Sequence, residues 1–219
     1  MPTQFQEKTV EKALREYRKK YLKKENFNKT EEDTRLMIDE LLTGVLGYIK
    51  IDDFTTEKMI GGRYADYVIR LNKRIRFVVE AKSIQYDLNE SHLRQARNYA
   101  SEEGVDWVIL ANGRQIELHR VIIEKAVRSQ KVFAFDLTDL TVLKPAAKQL
   151  VYLTKKSVLK NEIDIYWKKF DALSSDNMKK ALLSDDVVGA MKRRIKRSSG
   201  ITFSSDEIKR AIRGVSGQA

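Results

Sequence analysis

GGRYADYVIRLNKRIRFVVEAKSIQYDLNESHLRQARNYA, residues 61–100, decides how the rest of the chain is read. Residues 64–71 and 75–81, rich in Val, Ile, Phe and Tyr, read as two β-strands joined by a turn at Asn72-Lys73-Arg74. Asn89 or Ser91 then caps a helix that runs to about Glu103. The second strand is apolar at Phe77, Val78 and Val79, as in a strand covered on both faces, yet it ends in Glu80-Ala81-Lys82. Side chains alternate along a strand, so Glu80 and Lys82 point one way and Ala81 the other. Asp66 sits inside the neighbouring strand, among Ala65, Tyr67, Val68 and Ile69. Two carboxylates about 4 Å apart repel by roughly 4 kcal/mol at an effective dielectric of about 20, before any cost of desolvation. A divalent cation removes that penalty and gives the arrangement a purpose. The other reading of Asp66, Glu80 and Lys82 is a buried ion-pair cluster without chemistry.

Asp66, thirteen residues, Glu80, one apolar residue and Lys82 resemble the PD-(D/E)xK nuclease pattern. Gln95 and Tyr99 extend the likeness, because a Gln-x-x-x-Tyr helix after the Glu-x-Lys strand marks RecB-like nucleases and type I restriction subunits. At i and i+4 these two side chains share one helix face. DWVILANGRQIELHR, residues 106–120, reads as strand, Asn-Gly turn and strand, and is similar to the hairpin of the N-terminal nuclease domain of type I restriction enzyme R subunits. TEEDTRLMIDELLTGVLGY, residues 30–48, looks like that family's opening helix. The likeness spans about residues 30–140.

The resemblance implies an α/β fold with a restriction-endonuclease-like core, a mixed central β-sheet flanked by helices, followed here by a helical C-terminal extension. It further implies that Asp66 and Glu80, with the backbone carbonyl of Ala81, hold Mg²⁺, for which Mn²⁺ substitutes. Lys82 would position or help deprotonate the attacking water, or stabilise the transition state. Gln95 would orient water or a metal ligand, and Tyr99 would contact the phosphate backbone. In such nucleases an acid on the first helix often joins the metal, which makes Glu31 a candidate, with Glu32 and Glu40 behind it; stabilisation of the helix dipole explains Glu31 as well. The implied activity is endonucleolytic hydrolysis of DNA. A RecB-like exonuclease, and a non-catalytic nucleic-acid-binding or assembly protein on the same fold, are the alternatives. Cutting both strands needs two sites, which points to a homodimer.

The 219 residues include no cysteine and two histidines, His92 and His119, which excludes disulfides, cysteine–zinc sites and cysteine catalysis. The first thirty residues are polar and no apolar run approaches the roughly 18 residues of a membrane span, so a cytoplasmic protein with no membrane partner is expected. The net charge of +11 is unevenly spread. Residues 1–30 hold nine Lys and Arg against four Asp and Glu, residues 150–219 hold fifteen against eight, and the middle holds eighteen against nineteen. Basic flanks around a neutral, acid-bearing middle suit a DNA partner, although a solvated basic surface has the same composition.

Three regions follow: a basic N-terminal helix in residues 1–29, a nuclease-like core in 30–142 and a helical basic extension in 143–219. In the first, Val10, Leu14, Tyr17 and Leu22 recur at helical spacing. Thr30 starts the next helix, with Met37, Ile38, Leu41, Leu42 and Val45 as its apolar stripe and Gly47 as its end. Residues 48–52 are expected to form the first strand, followed by a polar link through Thr55, Thr56 and a Gly61-Gly62 turn. Residues 106–111 and 115–121 form a hairpin around a type I′ turn at Asn112-Gly113, and residues 131–137 complete the sheet. His119 reads as structural or superficial; His92, one turn before Gln95, faces either DNA or solvent. In the extension, Ser184 caps a helix over 185–197 closed by Gly200, and Ser204 with Glu207 forms a capping box. Lys192, Arg193, Arg194, Lys196 and Arg197 are the densest basic run. With Arg63 they are candidates for phosphate contact; a solvated face with an oligomerising apolar side is the alternative for the run. No G-x-x-x-x-G-K-[ST] loop occurs, whereas a full type I restriction subunit carries an ATPase motor. The expectation is a stand-alone relative, a phage or mobile-element version, or a chain served by a separate targeting or motor subunit.

Overall fold

A computed structural model of the chain describes residues 1–60 and 63–216, with side chains for all of these except 57–60, 63, 64 and 216. Helices α1 (Gln4–Tyr21) and α2 (Glu31–Glu40) lead into a six-stranded sheet of β1 (Phe54–Ile60), β2 (Arg63–Leu71), β3 (Arg74–Ala81), β4 (Trp107–Ala111), β5 (Gln115–Ile123) and β6 (Val127–Asp136). Between β3 and β4 lies α3 (Glu90–Glu102), and α4 (Leu143–Leu150), α5 (Lys155–Leu159), α6 (Glu162–Ala172), α7 (Ser175–Leu182), α8 (Asp185–Ser199) and α9 (Ser205–Ser216) follow. This is the expected α/β core with a mixed sheet, flanking helices and a helical extension. The strands lie in chain order and pair antiparallel, except that β3 and β4 run parallel. A parallel pair needs a crossover, and α3 supplies it.

Local chemistry fixes the elements that carry the acids. Asn72 and Lys73 adopt φ +50° and +65°, the left-handed pair a two-residue β-hairpin turn requires, and so join β2 to β3. Asn89 caps α3 by accepting the Ser91 and His92 amides. Leu93, Ala96, Tyr99 and Ala100 recur along one side of α3 and pack with Val68, Val78, Val108 and Leu110 of the sheet. Tyr67, Ile69, Phe77 and Val79 are buried on the other face, where the Tyr67 hydroxyl donates to the Arg35 carbonyl of α2. Thr30 caps α2 through the Asp33 amide, and buried Thr34 accepts the Ile84 amide at 3.1 Å, tying α2 to the segment after β3. Beyond Glu40 the helix widens into a π-turn, Leu41–Val45, and Gly47 at φ +77° closes it.

The structure corrects four expectations. Residues 48–52 form no strand: Gly47 and Ile51 take positive φ, Asp53 accepts the Ile49 amide at 2.7 Å, and the Tyr48 hydroxyl donates to Leu153 O at 2.6 Å, so turn chemistry overrides the β-propensity of Tyr48, Ile49 and Ile51. The first strand is instead the stretch read as a polar link, with Thr55 and Thr56 in β1; Gly61-Gly62 lies outside the described residues. The Asn112-Gly113 turn is not type I′, because only Gly113 has positive φ and the Asn112 side chain accepts the Arg114 and Gln115 amides, an Asx-turn. The last strand begins at Val127 rather than Lys131.

The chain divides into two compact units, Met1–Ile163 and Asp164–Ala219. The first therefore runs past residue 142 and includes the N-terminal helix. Val10, Leu14 and Tyr17 of α1 are buried, as are Leu143, Ala146, Ala147 and Leu150 of α4, and the Tyr17 hydroxyl donates to Gly113 O at 2.6 Å. In the second unit Val188, Ile208 and Ile212 form a small core between α8 and α9. Gly200 at φ +75° ends α8, and Ser204 with Glu207 makes the capping box of α9.

Gly113 carries two constraints at once: φ +83°, and a missing Cβ that would meet Met37 Cε at 3.1 Å. Gly104 has φ +64° with nothing within 4 Å. Gly113→Ala is expected to cost about 2–3 kcal/mol and Gly104→Ala about 1 kcal/mol, read as urea midpoints at constant m. Equal losses would show that the Met37 contact adds nothing.

Candidate functional site

The acids meet where β2 and β3 lie side by side under the first turns of α2 and α3. Tyr67 pairs with Val79, so Asp66 and Glu80, one residue further along each strand, come opposite each other. Asp66 is held by two donors: the Ala81 amide to Oδ2 at 2.8 Å and Arg35 Nη2 to Oδ1 at 2.7 Å. The same Arg35 nitrogen lies 3.8 Å from Glu31 Oε1, one helical turn earlier. Glu80, only 2% exposed, accepts Lys82 Nζ on Oε1 at 2.6 Å, while its buried Oε2 has no hydrogen-bond partner among the described residues.

These groups share one field. Burial, and then the negative charge of Asp66, push the Glu80 carboxyl up to about 7, with Glu31 adding to the rise and Lys82 opposing it. Burial alone would lower Lys82; its hydrogen bond to Glu80 and the charges of Glu80, Asp66 and Glu31 outweigh that and hold it above its ordinary value. His92 is lowered by burial and by the Lys82 charge, with Glu31 opposing. Glu31, Asp66, Glu80, Lys82 and His92 thus form one cluster spanning α2, β2, β3 and the start of α3.

Gln95 is exposed on α3, one turn beyond His92. Tyr99 is not with them. It is 1% exposed, in the apolar stripe of α3, its buried hydroxyl has no hydrogen-bond partner among the described residues, and the nearby charges are those of Glu103 and Arg70. A phosphate contact is closed to that side chain; its place on the i, i+3, i+4 stripe with Leu93 and Ala96 makes it core. The Arg63 side chain lies outside the described residues. Arg193, Arg194, Lys196 and Arg197 are exposed along α8 and Lys192 is half-buried, all within the second unit. His119 is 3% exposed, with Nε2 2.8 Å from Glu117 Oε2, and Lys131 donates to the other Glu117 oxygen at 2.8 Å; this is a buried polar link between β5 and β6.

Arg35 escaped the sequence reading. Its signal was present: it is the one base in α2, a helix with five acids, and it stands four residues after Glu31. Among the described residues no three His, Cys, Asp or Glu side chains converge as a ready metal cage. The oxygens of Asp66 and Glu80 are hard donors, and the unpartnered Glu80 Oε2 is a ligand without a ligand partner, so the residues fit an ion that completes its shell with water, as Mg²⁺ does.

Residues 30–133, a little under half of the chain, match the family model described as type I restriction enzyme R protein N terminus. That segment holds α2, the sheet to within three residues of its end, α3 and every member of the acid cluster. Among the described residues no helix is long and apolar enough to cross a membrane. Comparison with curated proteins and with solved structures finds no match. The acid cluster is therefore carried by a restriction-enzyme-like domain, similar over residues 30–133 to the N terminus of type I restriction enzyme R proteins.

Proposed function

We propose that the acid cluster is the site of a metal-dependent DNA endonuclease of the PD-(D/E)xK type. The observation that carries this reading is Glu80, a buried carboxylate with one oxygen unpartnered, facing Asp66 and held on its other oxygen by Lys82. Asp66, Glu80 and the Ala81 carbonyl would hold Mg²⁺ or Mn²⁺, with Glu31 beside them. Such an ion lowers the pKa of a bound water and neutralises charge on the phosphate. The chain's own groups do the rest. Lys82, protonated, keeps Glu80 oriented and offers positive charge where the attacked phosphate gains negative charge. Arg35 neutralises Asp66 while no ion is present and yields Oδ1 when one binds. Gln95, exposed on α3, would orient water or a metal ligand. DNA as substrate is supported by the restriction-enzyme match and by the basic flanks, with Arg63 and the α8 residues Lys192, Arg193, Arg194, Lys196 and Arg197 as phosphate contacts. Cutting both strands would take a homodimer, and translocation a separate motor subunit.

One observation favours a second reading. Both Asp66 oxygens are engaged, by Arg35 and by the Ala81 amide, as in a purely structural cluster within a non-catalytic nucleic-acid-binding protein.

Supercoiled and linear DNA incubated with the chain and Mg²⁺ or Mn²⁺ separate the readings. Nicking of the circle that falls at least about hundredfold in both Glu80→Ala and Lys82→Ala is expected. Nicking that persists in both variants would sink the nuclease assignment, degradation of the linear form alone would make the enzyme an exonuclease, and binding without cleavage would favour the second reading.

The same carboxylate predicts a pH-dependent stability. Because the folded pKa of Glu80 lies above its ordinary 4.5, the folded state binds more protons than the unfolded state between about pH 4.5 and 7, and stability falls as pH rises through that window. Without metal, Glu80→Gln should gain on the order of 2–3 kcal/mol above pH 7, roughly 5–10 °C in Tm, and almost nothing near pH 4.5. Mg²⁺ should raise the melting temperature of wild type and not of the variant.

A further inference from the structure

The loop that follows Lys82 is held more firmly than its exposure demands. Ser83 and Ile84 are buried, whereas Gln85, Tyr86 and Asp87 are exposed. On one side the loop grips the segment before α2: Ser83 Oγ donates to Lys29 O at 3.0 Å, and Gln85 Nε2 donates to Asn28 O at 3.0 Å and to Lys29 O at 3.2 Å. On the other it is tied to the β4–β5 turn, where Asn112 Nδ2 donates to Tyr86 O at 2.7 Å and Arg114 Nε to Ile84 O at 3.2 Å. Within the loop the Tyr86 amide donates to Ser83 O at 3.2 Å. The backbone is thus fixed from both flanks, while the Tyr86 side chain is 64% exposed and its hydroxyl takes no part in these bonds. An aromatic ring presented on a fixed backbone gives up little freedom when a partner covers it.

The ring stands beside the acid cluster. The loop begins directly after Lys82, and the segment it grips runs into the Thr30 cap of α2, one residue before Glu31. Four residues of chain span at most about 14 Å, which bounds the distance between the Lys82 and Tyr86 backbones. Lys29 is exposed and has no ion-pair partner among the described residues. The one acid in the exposed part of the loop, Asp87, is engaged by Arg114 Nη2 at 2.6 Å. A ring with an ammonium on one side and a neutralised carboxylate on the other fits a nucleotide unit, the base on the ring and a phosphate on the ammonium. Inside a duplex each base is covered on both faces by its stacked neighbours, so the ring reaches only a base that is unpaired.

We propose that Tyr86 and Lys29 hold a single strand of DNA beside the acid cluster, the ring stacked on an unpaired base and the ammonium on a neighbouring phosphate, so that unpaired DNA is preferred to duplex. The choice of DNA as partner rests on the nuclease reading of that cluster.

Fluorescence anisotropy of the full chain with a labelled 12-nucleotide single strand and with the blunt duplex of the same sequence, in EDTA so that neither is cut, tests it. The single strand is expected to bind more tightly than the duplex. Tyr86→Ala should weaken the single strand about tenfold and leave the duplex within about twofold, and Tyr86→Phe should bind as wild type does. Lys29→Gln should reduce the slope of log affinity against log salt by about 0.7. Phe5→Ala, which removes a ring 79% exposed on α1, should change neither form. The proposal is overturned if no single-strand binding is found, if Tyr86→Ala leaves it unchanged or weakens both forms equally, or if Tyr86→Phe or Phe5→Ala loses as much. Cleavage is scored separately. Nicking that needs Glu80, with single-strand binding that ignores Tyr86, would keep the enzyme and remove the platform; binding that needs Tyr86 without any nicking would do the reverse.

Discussion

A carboxylate that is 2% exposed cannot stay ionised without positive charge beside it, and Glu80 imposes that demand on the middle of the fold. Lys82 meets half of it, from two residues along the same strand. The facing Asp66 makes matters worse and brings a need of its own, which Arg35 and the Ala81 amide meet. Arg35 can do so only because α2 is pinned at both ends of its first turns, by the Thr30 cap and by the Thr34 to Ile84 bond, with the Tyr67 hydroxyl on the Arg35 carbonyl itself. Removing Arg35 would leave Asp66 an uncompensated, largely buried charge facing Glu80, the costly kind of change, at about 3–5 kcal/mol. Glu80 Oε2, without a hydrogen-bond partner among the described residues, is the least satisfied point of the arrangement.

Much of this could be read in the residues. The β2 and β3 strands, the Asn72-Lys73 turn, the Asn89 and Thr30 caps and the buried character of β4 all follow from side-chain chemistry acting within a few positions, where propensity, pattern and capping agree. The failures share a cause. Residues 48–52 have the composition of a strand, but hydrogen bonds donated to the Asp53 carboxylate and the Leu153 carbonyl decide their shape, and Leu153 is about a hundred residues away. Asn112-Gly113 has hairpin composition, yet the Asn112 side chain takes the bonds a type I′ turn would use. Motif position marks Tyr99 as a site residue, but the stripe it shares with Leu93 and Ala96 places it in the core. Arg35 is marked in the sequence as the one base of an acid-rich helix, four residues after Glu31, but its partner Asp66 lies thirty-one residues away and only the fold joins them.

The N-terminal helix shows how charge and burial divide along one element. Val10, Leu14 and Tyr17 seal it against the same unit as the sheet, while Arg18, Lys19 and Lys20 fill its last turn, where cations complement the helix dipole. Basic composition in this segment therefore has a structural component alongside any electrostatic role towards a partner. In the second unit the basic side chains of α8 stand opposite a small apolar seam with α9, so the same helix offers a charged exterior without sacrificing its packing.

The single parallel pair has a consequence for the order of assembly. β1, β2 and β3 form one antiparallel meander and β4, β5 and β6 another, each closed by short connections, while β3 and β4 join only across the 82–106 crossover. Closing a connection of that length is entropically dearer than a hairpin turn, so each meander can pair without the seam, while the seam needs the crossover. Asp66 and Glu80 both belong to the first meander and come opposite each other through β2–β3 pairing alone. The pairing of the two acids is thus set by the hairpin, and their burial by the helices packed over it.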